Sequence, residues 1–179
     1  KIIGHGNSAN TWNSLTEVSI NTIGSSPETE APSETVLNKT TVVMQKQNTL
    51  FSIDGNGGAV EGQQIYLWNT NTDNVNQQWV QSELSNGYLT FGKKNTSLCL
   101  DGGDGASRRQ PVTIEKCTDG DKNQHWKKVS LSNGSFRLEK RDTSFSIDGN
   151  GGAERKQAIY LWNSSNSNVN QQCGLPKLY

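Results

Sequence analysis

The chain has 179 residues, 31% hydrophobic and 19% charged, with 18 glycines and 17 acidic side chains balanced by 17 basic ones. Such a composition fits a turn-rich β protein with a modest core and excludes a helical bundle. Apolar runs reach only about four residues, which excludes a membrane-spanning helix, and zero net charge leaves no overall grip on nucleic acid or an anionic bilayer.

In chain order, the first stretch is polar from Gly4 onward, with no apolar core of a leader peptide. The expectation is a segment cut from something longer. Residues 4–20, GHGNSANTWNSLTEVSI, resemble the closing stretch of a discoidin-like carbohydrate-binding domain of the kind found in bacterial alginate lyases. Residues 1–20 are accordingly read as the remnant of a preceding module. Residues 21–37, opening NTIGSSPETEAPSETV, have the Ser/Thr/Pro/Glu composition of an extended linker.

From residue 38 the chain repeats itself at an offset of 47. Asp54, Asp101 and Asp148 fall into register, as do Gln77, Gln124 and Gln171, and Trp79 and Trp126 align with Cys173. Leucines at 37, 84, 131 and 178 mark the seams of repeats 38–84, 85–131 and 132–178. Repeats one and three are nearest, with 20 of 28 positions identical between 51–78 and 145–172. Within each unit the apolar residues alternate: Val42 and Met44, Leu89 and Phe91, Phe136 and Leu138. Alternation punctuated by Asn-Gly and Gly-Gly predicts short strands joined by tight turns. One supersecondary unit used three times predicts a closed threefold assembly, since each unit alone buries too little.

A 47-residue triplicate with Gln77-Gln78-Trp79 and Gln124-His125-Trp126 near the ends of its units resembles the ricin-type lectin β-trefoil. That group includes the family 13 carbohydrate-binding modules. The resemblance covers 38–178 and implies an all-β trefoil that binds sugar and catalyses nothing. Cys173 departs from the pattern by replacing the third tryptophan. The resemblance also implies a disulfide between Cys99 and Cys117, and with it an oxidising, extracellular compartment. Two reduced cysteines acting as small hydrophobes are the other reading. Cys173 is left without a partner.

A neutral sugar offers hydroxyls in fixed directions and an apolar C–H face, so a shallow site needs a carboxylate or amide fork and an aromatic plate. Repeat one supplies Asp54 at a Gly-rich turn, able to accept two hydroxyl hydrogens. Tyr66 and Trp68 alternate with Ile65 and Leu67 and so face outward, and Asn76 and Gln77 follow from the next loop. Repeat three repeats the set as Asp148, Tyr160, Trp162, Asn170 and Gln171. These positions match the family's binding residues one by one. Repeat two keeps Asp101, Asn123 and Gln124 but has Thr113 and Glu115 in place of the aromatics, so its site is expected to be weak or dead. Other readings stand beside these: the aspartates as turn residues, Trp68 and Trp162 as core, Gln77 and Gln171 as structural. Trp79 and Trp126 read as core. The short basic pairs Lys127–Lys128 and Arg155–Lys156 read as solvated surface.

No cofactor or metal is implied: His5 and His125 give no zinc spacing, and Asp54-Gly55-Asn56-Gly57-Gly58 lacks the further carboxylates of a calcium loop. Glycoside hydrolysis needs two carboxyls about 5–9 Å apart, whereas threefold-related aspartates are expected much further apart. The expectation is therefore a secreted, monomeric, non-catalytic module. It anchors a polysaccharide-degrading enzyme, an alginate lyase or similar, to its polymer, with the catalytic domain of the same chain as its other partner and no nucleic acid or membrane. A free-standing lectin or toxin-type adhesion subunit is the alternative, and a protein-binding trefoil a third.

Overall fold

The computed structural model describes residues 34–176. The expectations for residues 1–20, for most of the linker and for Leu178 lie outside the described residues. Repeat one, whose first strand takes in the last two residues of the expected linker, contains β1 (Val36–Val42), β2 (Gln45–Lys46), β3 (Phe51–Asp54), β4 (Gln63–Gln64), β5 (Tyr66–Asn69), a 3-10 turn (Val75–Gln77) and β6 (Trp79–Leu84). Repeat two contains β7 (Leu89–Lys93), β8 (Leu98–Asp101), β9 (Thr113–Lys116), a 3-10 turn (Lys122–Gln124) and β10 (Trp126–Ser130). Repeat three contains β11 (Phe136–Lys140), β12 (Phe145–Asp148), β13 (Gln157–Ala158), β14 (Tyr160–Asn163), a 3-10 turn (Val169–Gln171) and β15 (Cys173–Gly174).

All the strands join one antiparallel sheet. The barrel is formed by a run of pairings: β1 with β6, β6 with β7, β7 with β10, β10 with β11, β11 with β15 and β15 with β2. The hairpins β3–β5, β8–β9 and β12–β14 cap it. The cap closes on itself in a cycle. Gln64 pairs with Thr113 of repeat two, Pro111 of repeat two with Tyr160 of repeat three, and Ala158 of repeat three with Tyr66 of repeat one. Each repeat therefore lends a segment to the face of the next, which is why a unit cannot stand alone.

The core is made of the residues that recur at 47. Met44, Phe91 and Leu138; Ile53, Leu100 and Ile147; Ile65, Val112 and Ile159; and Leu67, Ile114 and Leu161 are all buried. Trp79 and Trp126 are fully buried, and each indole N–H donates to a cap-strand carbonyl, Ile53 at 3.1 Å and Leu100 at 3.2 Å. Burying an indole of roughly 200 Å² stabilises by about 5 kcal/mol. The thiol of Cys173 does neither job for repeat three, and a small cavity bordered by Leu67, Ile147, Ile159 and Cys173 marks the missing ring. Enclosed there, the thiol is pushed up to about 12 by burial, with Lys46 opposing, and it is chemically quiet.

Cys99 and Cys117 form a disulfide that clips the β8–β9 hairpin. In the other two hairpins the equivalent pairs are hydroxyls within hydrogen-bond distance: Ser52 Oγ and Thr70 Oγ1 at 2.8 Å, Ser146 Oγ and Ser164 Oγ at 2.8 Å.

Candidate functional site

Each cap hairpin ends its first strand on an aspartate and carries two outward residues on its second. In repeat one, Asp54 pairs across the hairpin with Tyr66, and Ser52 with Trp68. Leu67 points into the core, so strand alternation sends Tyr66 and Trp68 to the other side. Both are half-buried, as are Tyr160 and Trp162 in repeat three. The rings lie at the surface, not in the barrel. Tyr66 and Trp68 form one aromatic wall, with centroids 5.8 Å apart and planes at 51°.

The carboxylate of Asp54 is only 3% exposed and largely committed. Its Oδ1 accepts from the Asn56 backbone N–H (2.8 Å), and Oδ2 from the side-chain amides of Asn74 (3.3 Å) and Gln77 (3.2 Å). Asp148 has the same three donors in Asn150, Asn168 and Gln171, at 2.7, 2.8 and 3.2 Å. A carboxylate has about four acceptor positions, so roughly one remains for a ligand hydroxyl. The sequence expectation of two is corrected by this count. Burial raises the Asp54 carboxyl above the usual range, against the Asn56 N–H, the Gln77 amide and the Lys93 charge.

Gln77 and Gln171, expected to touch sugar, are buried with both amide N–H groups already committed within the protein. The Gln77 amide donates to Asp54 and to the Asn69 carbonyl (2.9 Å), and its oxygen accepts from the Asn71 N–H (2.9 Å). Gln171 makes the same three bonds with Asp148, Asn163 and Ser165. Both are buried; they are positioning residues. Their partners in the expected pair, Asn76 and Asn170, are half-buried at the rim. The Asn76 side-chain Oδ1 accepts from Lys93 Nζ (3.0 Å), which leaves its side-chain N–H groups to face outward contacts.

Three further groups were not found by sequence reasoning. Buried Lys46, Lys93 and Lys140 recur at 47 and each braces a neighbouring site. Lys46 Nζ donates to the Asn150 carbonyl (2.8 Å) and to that of Gly152, and Lys140 Nζ to the carbonyls of Gly103 (2.6 Å) and Gly105 (2.5 Å). Burial lowers all three ammonium pKa values, opposed by the aspartate each one faces. The lysine stems run so close that a Cβ on Gly55 would meet Lys93 Cε at 2.9 Å and one on Gly102 would meet Lys140 Cδ at 2.8 Å. The period was the available signal, masked by the expectation that lysines are exposed. Asn56 is the second group: its Oδ1 accepts from the Tyr66 hydroxyl (3.1 Å) and fixes that ring.

The third group is a guanidinium over each tryptophan. Arg155 lies 5.5 Å from the Trp68 ring centroid and Arg108 lies 5.4 Å from that of Trp162. Each comes from the preceding repeat in the cycle. The expected bare aromatic plate is thus an aromatic wall with a cation across it. In repeat three, Arg109, Asp148, Asn150, Tyr160 and Trp162 enclose a shallow cleft of about 70 Å³.

The middle repeat departs at several of these points. Thr113 and Glu115 replace the ring pair, and Asp121 stands where Asn74 and Asn168 donate. Asp101 keeps its Gly103 N–H (2.6 Å) and Gln124 amide (3.1 Å). Burial raises its carboxyl, and the charges of Asp121 and Glu115 raise it further. Asn123 donates to Asp104 (2.8 Å). This face is a carboxylate cluster with no aromatic surface.

A family model described as ricin-type beta-trefoil lectin domain-like matches residues 76–162. No curated protein matches the chain in sequence. Among solved structures the chain is similar to a designed three-fold symmetric protein, ThreeFoil, at 21% identity and TM-score 0.70, over 77% of this chain and 99% of that one. It is similar to a Macrolepiota procera ricin B-like lectin in complex with lactose, at 15% identity and TM-score 0.62, over 80% and 99%. It also resembles an exo-beta-1,3-galactanase from Clostridium thermocellum, at 24% identity and TM-score 0.68, over 79% of this chain but 31% of the galactanase. At such identities the likeness establishes architecture: the described residues form a β-trefoil, and residues 76–162 match the ricin-type β-trefoil lectin domain family.

Proposed function

We propose that this chain is a non-catalytic carbohydrate-binding module with two saccharide sites. One is formed by Asp54, Tyr66, Trp68 and Asn76, the other by Asp148, Tyr160, Trp162 and Asn170. The observation that carries this reading is the paired recurrence of a braced carboxylate beside an outward aromatic wall, absent from the middle repeat. The ricin-type match over 76–162 and the lactose complex of a similar fold support it. A single shallow site of this kind binds at about 1 mM, or about −4 kcal/mol. Two sites on one polymer gain by avidity.

The module serves a secreted polysaccharide-degrading enzyme and acts as a monomer tethered to it. The disulfide supports an oxidising compartment, and the galactanase, of which the chain spans 31%, is a fold relative embedded in an enzyme. An alginate lyase as parent rests on residues 4–20 alone. The free-standing alternative is favoured by the Macrolepiota procera lectin, which the chain matches over 99% of its length.

The test is titration of the isotope-labelled protein with a panel of neutral and acidic oligosaccharides. Shifts at the Trp68 and Trp162 indole N–H groups and the Asn76 and Asn170 amides are expected. A panel that moves none of them contradicts the proposal.

A further inference from the structure

The cap cycle places one short loop of each repeat over the site of the next, and the three loops differ in charge. The equivalent positions are Glu61, Arg108 and Arg155, followed by Gly62, Arg109 and Lys156. All three loops dock by the same backbone bond: Gly62 N–H to the Ile114 carbonyl (2.9 Å), Arg109 N–H to Leu161 (3.0 Å) and Lys156 N–H to Leu67 (2.9 Å). The loop over site one therefore brings Arg155 and Lys156, and the loop over site three Arg108 and Arg109. The loop over the middle site brings Glu61 and no cation.

The two arginines are each held at two points. Arg155 Nε donates to Asn69 Oδ1 and Arg108 Nε to Asn163 Oδ1, while each guanidinium rests over its tryptophan. Among the described residues no acceptor meets the Nη atoms of either. A planar fork, fixed by one nitrogen and by a ring beneath, with two donors open, is the geometry that takes a carboxylate or sulfate in bidentate fashion. Arg109 and Lys156 hold left-handed backbone angles, φ +65° and +64°, at the position where the acidic loop uses Gly62. Side-chain-bearing residues rarely adopt that conformation. The two aromatic sites keep a cation there, and one of them, Arg109, lines the cleft beside Asp148 and Tyr160.

We infer that both aromatic sites select saccharides bearing an anionic group, a uronate carboxylate or a sulfate ester, which the Arg155 and Arg108 forks take while the neighbouring carboxylate and amide hold ring hydroxyls. This inference rests on the saccharide reading above and names its ligand class. The basic pair Arg155–Lys156, solvated surface by sequence alone, becomes a specificity element. The middle site, with Glu61 facing Glu115 in place of Arg facing Trp, refuses the same ligand by charge.

The experiment compares the intact chain with Arg108→Gln/Arg155→Gln and with Lys127→Gln/Lys128→Gln, which removes the same charge from exposed positions elsewhere. The probes are uronate tetrasaccharides of several configurations, their carboxyl-reduced neutral counterparts, and sulfated and desulfated galactan oligosaccharides, at low salt. The uronate and sulfate arms separate the two sources of the anion. The intact chain is expected to prefer at least one acidic probe over its neutral counterpart by about tenfold or more. The Lys variant should keep that preference, and the Arg variant should bring acidic and neutral probes within about twofold. Equal binding of acidic and neutral probes by the intact chain, or equal loss in both variants, overturns the inference and leaves sugar binding standing. Absence of binding to every probe overturns both.

Discussion

At the residue scale the site is organised by what its aspartates have already spent. Asp54 and Asp148 are buried carboxylates with three donors each, and such groups are stable only while those donors stay. Gln77 is the most connected of these donors, tying Asp54 to the Asn69 carbonyl and the Asn71 N–H at once. Gln77→Ala leaves the Asn69 carbonyl and the Asn71 N–H without their side-chain partner and takes one of three donors from Asp54, and a loss of about 1–3 kcal/mol is expected. Chemical denaturation checks this; an unchanged midpoint would show that water replaces the amide without cost. Asn76, at the rim, should behave in the opposite way: Asn76→Asp keeps an acceptor for Lys93 Nζ while removing the outward N–H groups, and should lose ligand affinity with little change in stability. Composition and spacing located these residues but could not divide ligand from brace, because both roles use the same amide chemistry.

At the element scale the three hairpins are one design with different fasteners. Cys99–Cys117 occupies the place of Ser52–Thr70 and Ser146–Ser164, and all three pairs are separated by 18 residues. Ser52→Cys/Thr70→Cys should therefore close a second disulfide without moving the backbone, and a loop of this length stabilises by about 3 kcal/mol. A rise in thermal midpoint that disappears on reduction is expected; a variant that stays reduced in air would mean the two hairpins differ in geometry. The period of 47 made the strands and the core legible, because alternation and burial follow the same rule in every copy. Two features were not legible. Burial of Lys46, Lys93 and Lys140 runs against the usual place of lysine. The arrival of Arg108 and Arg155 over the next repeat's tryptophan depends on cross-repeat pairing, which no spacing within a repeat encodes.

At the scale of the whole molecule, a threefold architecture carries two aromatic faces, Tyr66–Trp68 and Tyr160–Trp162. The barrel needs all three units, since the cap strands β4 and β13 and the bridge at Pro111 each join one repeat to the next. The aromatic faces belong to only two of them. The middle repeat keeps its aspartate and glutamine brace, Asp101 and Gln124, with nothing aromatic to serve, which shows the brace to be part of the fold as well as of the site. Cys173 is the converse case, a repeat with an intact site over an imperfect core.

The count of sites is the most direct measurement of this account. Titration with an acidic oligosaccharide long enough to fill one site and too short to bridge two should give two equivalents for the intact chain. Trp68→Ala and Trp162→Ala should each give one and the double variant none, with all four proteins folded. Two equivalents retained in the double variant, or one equivalent in the intact chain, would contradict it.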